Sequence, residues 1–174
     1  LLRSPDKAAA LAQLKMLLSV NGWLALAERI PRHTQRIHAL VDCTSLGEDL
    51  AARYRAAEEA IYADAGDDLV NWDEGTLRAA VADLWGAAGA VQTVDGVMEL
   101  QVTPVLLGRW FGKATSGPAI NGPASGGRLS YAQRLAEMLT QAEVETVEAL
   151  VRGQLLHQRV QWTSRTALIT GKTI

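Results

Sequence analysis

The stretch that decides the fold, Asp73 to Thr103, reads DEGTLRAAVADLWGAAGAVQTVDGVMELQVT. Its first half carries apolar residues at the three-and-four spacing of one helix face. These residues are Leu77, Val81, Leu84 and Ala88. Asp73 is placed to accept hydrogen bonds from the amides of the first turn, and Gly89 suits the left-handed residue that closes a helix. We therefore expect an amphipathic helix from Asp73 to Gly89.

The second half of the stretch has the pattern of a β-hairpin. Asp95-Gly96, flanked by Val94 and Val97, is typical of a two-residue type I′ turn. Such a turn fixes the register and places one set of side chains on a shared face. That set is Val91, Thr93, Met98, Leu100 and Val102. We expect this face to be buried.

A helix that ends in AAGAV, followed by a strand, a DG turn, a second strand and TP, resembles the recognition helix and wing of the winged-helix superfamily. The resemblance covers residues 48–107. It implies a surface that binds either the DNA major groove or another protein. Within Asp73 to Thr103 the only basic residue is Arg78, against five acidic residues. Because phosphate contacts dominate nucleic-acid affinity, this surface is expected to face protein.

Composition indicates a globular chain. It has 174 residues, 48% of them hydrophobic, with a net charge of −2 and a pI near 5.9. This charge gives no overall attraction to nucleic acid or anionic membrane, and the apolar runs are too short to cross a bilayer. The single Cys43 excludes an internal disulfide, so a cytoplasmic location is expected. The chain begins without methionine, so an upstream segment could be missing.

The remaining pattern favours helices. Ser4-Pro5-Asp6 predicts a helix start, followed by two helices or one kinked helix up to Pro31. A capping box at Ser45 and Glu48 opens a helix that reaches Ile61. The expected fold class is mainly α with one β-hairpin: a helical domain with a winged-helix-like module and a long C-terminal helix.

We divide the chain into three parts. Residues 1–111 form a helical domain that contains the winged-helix-like module (48–107). Residues 112–129 are rich in glycine, proline, serine and alanine and form a linker or loop. Residues 130–174 form a long helix and a tail. This helix begins at a capping box of Ser130 and Gln133 and persists to about Trp162, which makes it about 45 to 50 Å long.

The C-terminal helix carries apolar residues on two opposed faces. The second stripe is Val144, Val147, Val151 and Leu155. A helix that is apolar on two sides is usually covered on both. One interpretation is that the stripe binds a second copy or another protein. The alternative is that the first helices of the same chain cover it.

Basic residues in the first third of the chain support a second hypothesis, a nucleic-acid-binding subunit that uses a basic helical face. The candidate contacts are Arg29, Arg32, Arg36, Arg53 and Arg55. His33 and His38 lie five residues apart without a third ligand nearby, so no metal site is expected there.

No pattern typical of catalysis, of a cofactor or of a metal site is found. Asp64, Asp67, Asp68 and Asp73 lack the spacing of a calcium loop. An anion cradle at Lys113 or at residues 126–128 does not match a phosphate loop. An enzyme whose site comes from distant residues is a third hypothesis. The leading hypothesis is a non-catalytic interaction or assembly subunit with a protein partner or a homo-oligomeric state, and no membrane partner is expected.

Overall fold

The fold combines helices with one antiparallel sheet. The computed structural model describes residues 4–112 and 129–173. Helix makes up 51% and strand 23% of this part of the chain, and the three strands form one sheet. The predicted fold class is therefore wrong, because the C-terminal residues form a strand and no isolated hairpin is present in the described residues.

Six α-helices and three strands are seen in the described residues. Short 3₁₀ turns occupy Pro31–His33, Ile37–Leu40, Thr44–Leu46 and Gly86–Ala88. In chain order the main elements are α1 (Lys7–Met16), β1 (Trp23–Ile30), α2 (Glu48–Ala63), α3 (Glu74–Trp85), β2 (Gly89–Gln101), α4 (Pro104–Phe111), α5 (Tyr131–Leu135), α6 (Gln141–Leu155) and β3 (Arg159–Lys172).

Asp95 and Gly96 lie inside β2 and form no turn. A type I′ turn needs positive φ at both central residues, and neither residue has it. β2 instead lies beside β3, where Arg165 pairs with Asp95. β3 is long enough to pair with β2, so the backbone of β2 finds its hydrogen-bond partners there and not in a hairpin. The predicted hairpin is wrong, and Met98 of its predicted core face is exposed. The resemblance to the winged-helix superfamily stays a prediction.

The predicted long C-terminal helix is also wrong. The capping box of Ser130 and Gln133 is confirmed, but the helix that it opens, α5, ends at Leu135. A second capping box, formed by Thr140 and Glu143, starts α6 as a separate helix. After α6 the chain becomes β3, whose residues are rich in threonine and other β-branched types that fit a pleated sheet.

Besides Ser130, one predicted helix start is confirmed and two need correction. Asp73 caps α3 by accepting from the amide of Thr76. Thr103 caps α4 in the same way, with a proline following it. α1 is capped by Asp6 and not by Ser4. α2 begins at Glu48 after a 3₁₀ turn, so the predicted capping box at Ser45 is replaced by that turn.

The described residues divide into two compact units. Unit 1 comprises Leu1–Gln35, Tyr62–Met98 and Trp162–Ile174, and unit 2 comprises Arg36–Ile61 and Glu99–Gln161. β2 and β3 each contribute residues to both units. The predicted linker at 112–129 lies mostly outside the described residues, so the predicted division of the chain stays a prediction.

Unit 1 is a two-layer structure with α1 and α3 packed on one face of the sheet. The sheet order is β1-β3-β2, and β1 pairs antiparallel with β3 from Trp23 opposite Lys172 to Ile30 opposite Arg165. The core contains residues of both helices and all three strands: Leu11, Leu24, Ile30, Trp72, Leu77, Ala80, Val81, Trp85, Val91, Ala167 and Ile169. Gly171 lies directly against the indole of Trp85, where a Cβ atom would clash. The segment from Trp23 to Ile30 was predicted as helix but forms a strand, whose Leu24 and Ile30 face this core.

Unit 2 is helical apart from the strand ends that reach it. Most of its buried side chains come from α2, α4, α5 and α6, and the connections between the elements add Ile37, Cys43, Val102 and Leu139. Tyr131 on α5 packs edge-on against Phe111 of α4 and shares a hydrogen bond with the hydroxyl of Tyr54 on α2. Arg53 on α2 pairs with Glu143 on α6. These contacts hold the four helices around one interior.

Candidate interaction surface

The four apolar residues predicted as an interface on the last helix are part of the interior of unit 2. Val144, Val147, Val151 and Leu155 are all buried on α6. The stripe is therefore buried within the folded chain. These side chains offer no exposed surface to a partner in this structure.

The five arginines predicted as nucleic-acid contacts are divided between the two units. Arg29 and Arg32 lie in unit 1, and Arg36, Arg53 and Arg55 lie in unit 2. The five arginines do not share one helical face. Arg29 is on β1, and only Arg53 and Arg55 are on an α-helix, α2.

Three of these arginines are engaged by carboxylates. Arg32 binds Asp73, and Arg36 binds Glu59. Arg53 binds both Asp49 and Glu143. Each such contact neutralises charge that a phosphate would need, so the described structure gives the predicted basic face little free positive charge.

A shallow cleft in unit 2 surrounds Cys43. Its volume is about 270 Å³. The residues that line it are Asp42, Cys43, Thr44, Gly47, Glu48, Ala51 and Arg55. Burial raises the pKa of the Cys43 thiol, which opposes formation of the reactive thiolate. The cleft therefore does not contain an activated nucleophile.

The most deeply buried charged group of unit 2 is Glu58 on α2. Its carboxylate accepts hydrogen bonds from the backbone amides of Ile37 and His38, at 2.6 and 2.8 Å, and from the Nδ1 of His38 at 2.8 Å. The side chain is fully buried. All three contacts go to the 3₁₀ turn Ile37–Leu40, which indicates that Glu58 anchors this turn to α2. Sequence analysis did not single out Glu58, because nothing local distinguishes it from the exposed Glu59.

The clearest exposed surface belongs to the sheet of unit 1. Along β1 the side chains alternate, with Leu24 and Ile30 buried toward the helices and Trp23, Ala25, Ala27 and Arg29 exposed. The register of β1 with β3 puts the opposite residues of β3 on the same side. These are Thr166, Leu168, Thr170 and Lys172.

β2 extends this exposed side. Arg165 and Asp95 form an ion pair, so both side chains lie on the helix-covered side together with the buried Val91. Alternation then puts Ala90, Gln92 and Val94 on the other side, and all three are exposed. We call the side formed by these residues of β1, β2 and β3 the open sheet face. Within the described residues it is not buried by another element.

The charges on the open sheet face are all positive. Arg29 and Lys172 are its only charged residues, and neither forms an ion pair among the described residues. The carboxylates that these strands contribute to unit 1, Glu28 and Asp95, lie on the helix-covered side by alternation. Arg165 holds the pKa of Asp95 below its ordinary value chiefly by a hydrogen bond. The strand carboxylates of unit 1 therefore lie on the helix-covered side, while the open sheet face carries only the cations Arg29 and Lys172.

An exposed apolar segment adjoins one end of the open sheet face. Met16, Leu17 and Val20 are 84%, 82% and 78% exposed, and Trp23 at the start of β1 is 67% exposed. The segment is held in place by Thr173, which donates through its backbone amide to the carbonyl of Gly22. Large exposed apolar side chains that lie together mark surfaces for partners in soluble proteins.

Sequence analysis missed this surface because it assigned Trp23 to a helix and Leu168 to a tail. Two signals were present. Large and small residues alternate from Leu24 to Ala27 with the period of a strand, and β-branched residues are frequent from residue 160 to residue 170. Neither signal by itself reveals which side of a sheet remains uncovered.

No helix among residues 4–112 and 129–173 combines the length and the apolar character that a membrane crossing requires. The same residues contain no group of three or more His, Cys, Asp or Glu side chains that could hold a metal ion together. Lys113 and residues 126–128, which were considered as an anion cradle and not favoured, lie outside the described residues. No protein-family model, no curated protein and no solved structure matches this chain.

Proposed function

We propose that this chain is a non-catalytic interaction subunit that binds a protein partner through the open sheet face of unit 1. The observation that carries the proposal is the exposure of an ordered three-stranded sheet on one side. α1 and α3 cover only the other side, so the apolar side chains of the open sheet face are accessible to a partner. The exposed apolar segment at Met16 to Trp23 lengthens the same surface.

The chemistry of the surface favours protein over nucleic acid. Six of the eleven residues on the open sheet face are apolar (alanine, leucine, valine or tryptophan), whereas Arg29 and Lys172 are its only cations. Nucleic-acid affinity depends on neutralising several phosphates, and two cations supply few such contacts. The nucleic-acid alternative remains a prediction that a salt-dependent binding assay with mixed DNA and RNA fragments tests.

A site-directed photo-cross-linking experiment tests the proposal. A photoreactive amino acid replaces Ala27 on the open sheet face in one variant and Ala79 on the exposed side of α3 in a matched control. In extract of the native host, we expect position 27 to cross-link a defined protein that position 79 does not. Excess unlabelled wild-type chain should compete with this product. Equal labelling from both positions, or none from position 27, contradicts the proposal.

A further inference from the structure

We propose that the occupant of the open sheet face is an amphipathic helix of the partner protein that carries carboxylates near both of its ends. This inference rests on the proposed function and adds the shape and charge of the partner. It follows from the width of the face, from the size of its side chains and from the separation of its two cations.

The width of the face matches one helix. Three strands spaced about 4.8 Å apart span about 10 Å between the outer strands, and a helix with its side chains is about 10 to 12 Å across. Ala25 and Ala27 lie on β1, and their small side chains let a helix backbone come close. A helix laid here would complete a three-layer arrangement, with helices on both sides of the sheet.

The two cations mark the ends of the face. Lys172 lies opposite Trp23, and Arg29 follows Trp23 by six residues on the same strand. At about 3.3 Å per residue the two cations are about 20 Å apart along the strands. A helix covers that distance in about 13 residues. Carboxylates with this spacing, on either side of an apolar stripe, would meet both cations.

A second copy of this chain fits the face less well. Two such faces packed together would bring Arg29 and Lys172 only against further cations, with no carboxylate on either face. The area is also small. Eight residues of strand length and about 14 Å of width give about 370 Å², roughly half of the 800 Å² that each partner buries in a standard stable interface.

Fluorescence anisotropy with designed peptides tests the inference. The probe is a helical peptide of about 16 residues with a leucine stripe and two glutamates about 13 residues apart. The first control peptide has lysine at both of these positions, and the second has both glutamates near the middle. We expect the wild-type chain to bind the probe about tenfold more tightly than the lysine peptide, because each exposed pair changes from attraction to repulsion.

Charge reversal on the protein provides the matched variant. Arg29→Glu combined with Lys172→Glu should bind the lysine peptide more tightly than the glutamate peptide, while Arg78→Glu on α3 should keep the wild-type preference. Circular dichroism melts establish that each variant is folded. The inverted preference supports the inference, because a general effect of net charge would also shift the preference in the Arg78 variant, by about half as much.

Four results would overturn the inference. Two of them concern the peptides: equal binding of the glutamate and lysine peptides, or equal binding of the probe and of the peptide with central glutamates. The third is tighter binding of an oligothymidylate of about 20 nucleotides than of the probe. The fourth is a concentration-dependent dimer of the chain that Ala27→Arg abolishes. A host protein that cross-links at position 27 while the charge preference is absent would leave the proposed function standing and remove only the helix. If position 27 gives no cross-link while the peptide selectivity is intact, the proposed function is removed and the charge preference of the open sheet face stands.

Discussion

Replacing Glu58 should destabilise unit 2 far more than replacing its neighbour Glu59. Glu58→Leu removes the acceptor of three hydrogen bonds and leaves the amides of Ile37 and His38 without it in a buried place. A buried donor that loses its partner costs about 1 to 3 kcal/mol. With two amides and one imidazole affected, we expect a loss of about 3 to 6 kcal/mol. This is a large share of the total stability of an ordinary domain, about 5 to 15 kcal/mol.

Urea unfolding followed by circular dichroism measures this difference. The free energy of unfolding of Glu58→Gln should lie between those of wild type and Glu58→Leu. Its amide oxygen can still accept from one donor, while its amide nitrogen faces the others. The matched control is Glu59→Gln, one residue away and exposed, whose pair with Arg36 contributes about 0 to 1 kcal/mol. If Glu58→Leu unfolds at the same urea concentration as Glu59→Gln, the anchoring role assigned to Glu58 is wrong.

Three further predictions address the sheet and α6. Gly171→Ala should destabilise by about 1 to 3 kcal/mol in thermal melts, because the new Cβ would lie 2.6 Å from the Trp85 indole; an unchanged melting temperature would contradict this packing. Gly96→Val should be neutral or stabilise by up to about 1 kcal/mol, because a β-branched residue fits a continuous strand; a clear loss would restore the hairpin. Glu143 has its pKa lowered from 4.5 to about 2, chiefly by the hydrogen bond from Arg53. Its stabilising effect is therefore present above about pH 4.5 and disappears as the pH falls toward 2, so Glu143→Gln, which can keep the capping box, should show a smaller loss of stability than wild type between about pH 7 and about pH 3. Parallel acid profiles for the two proteins would refute the assignment.

Local signals decided those parts of the fold that depend on neighbouring residues in the chain. Asp73 and Ser130 cap helices as predicted, because a cap needs only a side-chain oxygen within three residues of the free amides. The second capping box, at Thr140 and Glu143, has the same local signature. The apolar spacing continues across this capping box, and for that reason one unbroken helix was predicted.

The errors about the strands concern pairing between distant residues. Asp95-Gly96 has the local chemistry of a turn. In the structure it pairs with β3, whose Arg165 lies about 70 residues later in the chain, and β2 continues through both residues as a strand. Contacts of that kind leave no periodic mark on either strand. Local preference for a turn is also small compared with the hydrogen bonds and packing that a neighbouring strand supplies.

The sequence by itself determined the helix caps, the amphipathic character of α3 and α6, and the absence of a recognisable catalytic pattern. The tertiary structure decided which apolar residues are used inside. It buried Val147 and Val151, which could equally have faced a partner, and left Trp23 and Leu168 exposed on the open sheet face. The physical reason is that hydrophobicity specifies that a side chain should be covered, but not what covers it. Only the packing of α1 and α3 on one side of the sheet, and of neither on the other, distinguishes core from surface.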